Sequence, residues 1–114
     1  MSPLTTHVLD TARGRPAAGV TVIVERADGG QGWTELARGI TDADGRARDL
    51  LPENARLDDG VYRLRFGTGE YFRALGVKGF YPEVQIMVEI ESSAGHYHIP
   101  LLLSPFGFST YRGS

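Results

Sequence analysis

At 114 residues the chain has length for one domain, 1–114, which can bury roughly two thirds of its unfolded surface but cannot enclose a second core. Lys and Arg number 12 against 14 Asp and Glu, a net charge of -2 that offers a phosphate backbone no basic footprint, so no nucleic-acid partner is expected. Cysteine is absent, which rules out disulfides and thiolate metal sites, and no run of about 18 apolar residues suggests a membrane span.

The opening Met1–His7 lacks a basic segment followed by an apolar one, and with the cysteine-free composition this gives the expectation of a soluble, cytoplasmic protein. Leu4–Asp10 then alternates, with Leu4, Thr6 and Val8 on one face and Thr5, His7 and Leu9 on the other, until Gly14-Arg-Pro16 breaks it. Gly19–Arg26 is rich in β-branched residues and predicts a second strand, closed by the turn Asp28-Gly-Gly30 and returned antiparallel by Trp33–Thr41. Thr41-Asp-Ala-Asp-Gly-Arg46 reads as a turn that fixes Arg46 at a rigid corner; it lacks the later ligands of a calcium loop. Arg46–Leu51 suggests a short strand ended by Pro52.

Val61–Phe66 alternates, with Tyr62, Leu64 and Phe66 inward. Thr68–Gly76 is the one helical stretch, with Thr68 as the candidate cap and Gly76 at the C′ position. Glu83–Glu91 alternates again, with Val84, Ile86, Val88 and Ile90 inward. The last stretch, His96–Ser114, is two apolar runs hinged at Ser104-Pro105. Tyr97, Ile99, Leu101 and Leu103 share one face of it, and His98, Pro100 and Leu102 share the other. Pro100 removes a ladder donor, at a position expected to face a neighbouring chain or a pocket. About seven or eight short strands at roughly ten-residue spacing predict an all-β, antiparallel β-sandwich with one short helix.

The three histidines are His7, His96 and His98. Each admits a surface or structural role, but a face of Thr5, His7 and Leu9 and a face of His98, Pro100 and Leu102 are neither solvent-like nor core-like. Both fit the lining of a pocket, where imidazoles serve as general base and acid or orient a water. His-x-His with a distant third histidine is also a set that catalytic zinc accepts, with no evident carboxylate behind it. Arg46 is either an exposed charge or, beside two histidines, the group that holds an anionic oxygen. Tyr111 alternates with Ser109 and Gly113 and reads equally as a pocket wall or an edge-strand aromatic. Leu101-Leu102-Leu103 with Phe106-Gly-Phe108 is more apolar than one face of a small sandwich needs, which points to self-assembly.

Leu4-Thr-Thr-His-Val-Leu-Asp10, Thr41-Asp-Ala-Asp-Gly-Arg46, His96-Tyr-His-Ile-Pro-Leu-Leu-Leu-Ser-Pro105 and Tyr111-Arg-Gly-Ser114 together resemble, in order and over essentially the whole chain, the 5-hydroxyisourate hydrolase family, the transthyretin-like enzymes of urate breakdown. The resemblance implies a transthyretin-like sandwich of eight strands and one helix, assembled as a homotetramer, a dimer of dimers with its substrate pockets at the interface. It implies that His7, Arg46, His98 and Tyr111 line the pocket with Ser114 nearby, and that 5-hydroxyisourate is hydrolysed without metal or organic cofactor. On that reading His7 and His98 activate water, Arg46 stabilises the oxyanion and Tyr111 floors the flat ring. His96 and Arg112 receive no role. The alternative is a transthyretin-like hormone carrier without catalysis, but a carrier has no need of two histidines, an arginine and this tail around its channel.

Overall fold

The computed structural model describes residues 2–114; Met1, where the stretch read for a leader begins, lies outside them. The strands are β1 (Leu4–Asp10), β2 (Arg15–Pro16), β3 (Thr21–Ala27), β4 (Trp33–Ile40), β5 (Gly60–Phe66), β6 (Val84–Ile90), β7 (Tyr97–Ser104) and β8 (Gly107–Thr110), with helix α1 (Thr68–Ala74) between β5 and β6. They form two four-stranded sheets, ordered β2-β1-β7-β8 and β4-β3-β5-β6. Every pairing is antiparallel except that of β1 with β7, which run parallel.

The alternation seen in the sequence becomes the layering of the sandwich. Leu4 and Val8 of β1 and Ile99, Leu101 and Leu103 of β7 face Val22, Val24, Tyr62, Leu64, Phe66, Val84 and Ile86 of the opposite sheet in one apolar core. Burying each such side chain contributes about 1.5–3 kcal/mol. On the other faces of β1 and β7, Thr5, His7, Leu9, His98 and Leu102 are half-buried and Pro100 is buried, and the register sets Thr5 opposite His98, His7 opposite Pro100 and Leu9 opposite Leu102. The two histidine-bearing faces are therefore one continuous outer surface of the first sheet.

Three local expectations change. Arg46–Leu51 is not a strand: the Asp42 carboxylate draws the chain into turns, Asp49 adopts a positive φ of 62°, and only Arg46 bridges to a neighbour. Its apolar residues Ala47, Leu50 and Leu51 are buried as a plug, not as an alternating face. Thr68 does not cap α1; Gly67 holds that position, and the Thr68 hydroxyl turns inward to donate to the Tyr81 carbonyl at 3.4 Å. Arg15–Pro16, read as a break, makes a two-residue edge strand on β1.

α1 is short and owes its place to docking. Tyr71 and Phe72 are buried, and the Tyr71 hydroxyl donates at 2.7 Å to the carboxylate of Asp10, which is itself buried at the end of β1. Asp10 also accepts from the backbone N–H groups of Ala12 and Arg13, so one carboxylate ties strand, turn and helix. Tyr71→Phe is expected to cost about 1–3 kcal/mol, because it leaves a buried acceptor short of one donor; the urea midpoint measures it.

Candidate active site

The site begins at the corner after β4. The Asp42 carboxylate accepts the N–H groups of Asp44 at 2.9 Å and Arg46 at 3.1 Å, which closes the turn from within. Its pKa is held below the usual carboxylate range, chiefly by the Arg46 N–H. Gly45, at φ 78°, then passes so close to β1 that its carbonyl accepts the Val8 N–H at 2.8 Å and Arg46 bridges to His7. The corner is thus stitched to the face that carries the histidines.

Two guanidinium groups leave this corner. Arg48 is committed to Asp42 and Asp44 at 2.8 and 3.0 Å. The Arg46 side chain makes no ion pair among the described residues. A guanidinium without a counter-ion beside an open cavity is disposed to take an anionic oxygen.

Across the sheet, the Thr5 hydroxyl lies 3.1 Å from His96 Nε2 and 2.8 Å from His98 Nδ1. His96 Nδ1 is 2.7 Å from the Ser2 carbonyl, and His7 Nε2 is 2.7 Å from the Asp44 carbonyl. Desolvation, followed by the nearby charges of Arg46, His96 and His7, lowers the pKa of His98 below the usual imidazole value. Both effects favour the neutral form of the His98 imidazole.

The tail closes one side. Gly113 N–H donates to the His98 carbonyl at 2.7 Å, and Arg112 stacks on the Tyr97 ring with its guanidinium carbon 4.3 Å from the centroid. A Cβ on Gly113 would stand 2.6 Å from His98 Cδ2, so only glycine allows the tail to lie against the imidazole. Between Thr110 and Gly113 the ladder lapses. The Pro100 carbonyl accepts from Thr110 Oγ1, so the proline nitrogen faces this same tail. The missing donor therefore looks onto the chain's own C-terminal segment and not, within the chain, onto the cavity.

Thr5, Thr6, Arg46, Ala47, Arg48, His96, His98 and Ser114 line a cavity of about 400 Å³. Of the residues expected at the site, Arg46, His98 and Ser114 line it. His7 sits at its edge, bridged to Arg46. Tyr111 does not join them: it is 58% exposed and lines a separate cavity with Met87, Glu89 and Arg112. Among the described residues no three His, Asp or Glu groups converge as a metal-ligand set, and the histidines of the zinc alternative bond to a hydroxyl and to carbonyls. Sequence reasoning passed over Thr5, the hub of the imidazole contacts, and Asp42, which builds the corner. Thr5 carried one signal, its place on the same strand face as His7.

An imidazole kept neutral beside an unpaired guanidinium can deprotonate water and steady the charge that the attack creates. The chain is 50% identical to the 5-hydroxyisourate hydrolase of Caulobacter vibrioides over 119 residues, which cover all of both proteins. Among solved structures it resembles the 5-hydroxyisourate hydrolase of Klebsiella pneumoniae, at 40% identity and TM-score 0.85 over 99% of this chain and 100% of that one. It also resembles transthyretin from Sparus aurata, at 34% identity and TM-score 0.92 over 99% and 97%. Residues 4–113 match the model of the HIUase/Transthyretin family. With its two-sheet sandwich and these relatives, the chain belongs to the HIUase/transthyretin family.

Proposed function

We propose that the chain hydrolyses 5-hydroxyisourate to 2-oxo-4-hydroxy-4-carboxy-5-ureidoimidazoline, and that the work is done where His98, Arg46 and His7 meet. The observation that carries the reading is the His98 imidazole lining one cavity with the unpaired Arg46 guanidinium. The product's new carboxyl and ureido groups mean that an acyl C–N bond of the six-membered ring is opened. Water adds to the carbonyl carbon as an imidazole takes its proton. Arg46 holds the resulting oxyanion, and the C–N bond breaks as the ring nitrogen receives a proton. General acid–base help of this kind supplies about 10²–10⁴-fold, and an oxyanion donor about 3 kcal/mol.

The reading includes a homotetramer with the pockets at subunit interfaces. Of the four edge strands, β6 ends one sheet and β8 the other. Both border the cavity that holds Tyr111, so they lie on one side of the sandwich. Met87 and Phe106 are 66% and 68% exposed there and on the β7–β8 turn. Open edges with apolar side chains call for pairing with a second copy. Tyr111, remote from its own chain's cavity, then walls a pocket in the assembly. The activity is assigned to the cytoplasm on the cysteine-free composition; no helix among the described residues is long and apolar enough to cross a membrane.

The hormone-carrier reading and the hydrolase reading part on one experiment. Adding the protein to freshly generated 5-hydroxyisourate should accelerate the absorbance decay over a blank, with the ureidoimidazoline appearing in the product NMR spectrum; ligand retained without decay supports the carrier. Sedimentation in parallel should give a tetramer, and a fully active monomer contradicts the assembly.

The pH dependence has a stated sign. Base catalysis needs neutral imidazole, and burial together with the positive charge of Arg46 and the neighbouring imidazoles His96 and His7 opposes protonation of His98. kcat/KM should stay level down through pH 7 and fall only below the ordinary imidazole value of about 6.5. A limb at or above that value contradicts the assignment.

A further inference from the structure

We infer that Thr5 and His96 are positioning residues: a hydrogen-bonded relay from the Ser2 carbonyl through His96 and Thr5 fixes the tautomer of His98 and leaves its Nε2 bare as the base. The inference deepens the hydrolase reading and rests on it.

The direction of each bond follows from counting protons. A backbone carbonyl only accepts, so His96 Nδ1, 2.7 Å from the Ser2 oxygen, carries a hydrogen. In a neutral imidazole the other nitrogen is then an acceptor, and the Thr5 hydroxyl donates to His96 Nε2 across 3.1 Å. A hydroxyl has one proton to give. With it spent, Thr5 Oγ1 must accept from His98 Nδ1 at 2.8 Å, so His98 is the Nδ1–H tautomer and its lone pair lies on Nε2.

The opposite arrangement is costly. A proton on His98 Nε2 with Nδ1 bare takes the Thr5 proton and turns the Thr5 oxygen toward His96. His96 must then either set a bare Nδ1 against the Ser2 carbonyl or carry a full positive charge. That charge would stand in the same cavity lining as the unpaired Arg46 guanidinium.

His7 is held the other way round. Its Nε2 donates to the Asp44 carbonyl at 2.7 Å, and the ring does not line the cavity. Of the two imidazoles expected at the site, His98 alone therefore both lines the cavity and has its Nε2 uncommitted among the described residues. The charged and titratable groups around it come from every neighbouring element: His7 from β1, His96 from the start of its own strand's stretch, and Arg46 and Arg48 from the corner. The tail contributes Gly113, pressed on Cδ2, and Ser114.

The test is the tautomer itself, read in the intact ¹⁵N-labelled protein by long-range ¹H–¹⁵N correlation above the imidazole titration range, together with kinetics on 5-hydroxyisourate. Wild type should show His98 protonated at Nδ1. Thr5→Val keeps the shape of the side chain without the hydroxyl. It should shift His98 toward Nε2–H and lower kcat by about 10–100-fold while KM changes little, and Thr5→Ser should restore both readouts. A wild-type His98 protonated at Nε2 overturns the relay without any variant being needed, and so does a Thr5→Val protein that keeps both the tautomer and kcat. The two readings fail separately: full hydrolysis with the Nε2–H tautomer removes the relay alone, whereas the Nδ1–H tautomer in a protein that does not hydrolyse removes the hydrolase reading.

Discussion

His98→Asn should lower kcat for 5-hydroxyisourate hydrolysis by about 10²–10⁴-fold, the span that a single general base contributes. Asparagine is the informative replacement. Its amide nitrogen occupies the place of Nδ1 and can still donate to the Thr5 hydroxyl, which lies 2.8 Å from Nδ1 in the native protein, while the basic Nε2 is gone. The relay and the β7 backbone survive, so the circular dichroism spectrum and urea midpoint should match wild type. The loss then belongs to chemistry, and KM should move far less than kcat. Single-turnover absorbance decay measures it, and a rate within a few fold of wild type would remove His98 from the reaction.

Gly45→Ala carries the largest expected effect of any single methyl group, because it strikes fold and site together. At φ 78° an alanine is strained by about 1–2 kcal/mol. Its Cβ would also collide with the backbone carbonyl of Val8, an atom that β1 cannot move without disturbing its ladders to β2 and β7. Relief comes from lifting the corner off β1, which breaks the Val8-to-Gly45 hydrogen bond and the bridge between His7 and Arg46. The sum is about 2–4 kcal/mol of stability, read from the urea midpoint. The surviving folded protein should hydrolyse slowly, because Arg46 no longer faces His98. An unchanged midpoint would mean that the corner does not rest on β1 as described.

The strand pattern was legible because burial follows period two. The alternation of Leu4–Asp10 and of Tyr97–Leu103 predicted which residues face the core, and Thr5, His7, His98 and Pro100 do share the outer surface. What the pattern could not supply was partner and register. β1 and β7 are separated by more than eighty residues, and nothing local marks them as parallel neighbours or sets Thr5 opposite His98. The relay is invisible in the sequence for that reason, since it forms only when the register brings Thr5 between His96 and His98.

Arg46–Leu51 misled differently. Its composition allows a strand, but the Asp42 side chain satisfies the backbone of Asp44 and Arg46 locally, and the segment needs no ladder. Tyr111 could not be placed from pattern, because whether an edge aromatic meets a pocket depends on what pairs with the edge. The likeness in shape to the Sparus aurata transthyretin, with TM-score 0.92, makes the same point at the level of the fold. The sandwich is shared with a protein of another name, and the functional argument has to rest on imidazole and guanidinium at particular positions.

One assay bears most directly on the claim that the cavity between β1, β7 and the Asp42–Arg46 corner performs the hydrolysis: the initial rate of 5-hydroxyisourate decay with wild type beside the His98→Asn/Arg46→Met double variant, both folded by circular dichroism. Wild type should outpace the spontaneous reaction by orders of magnitude, and the double variant should fall close to the blank. A double variant that keeps the wild-type rate would contradict the account.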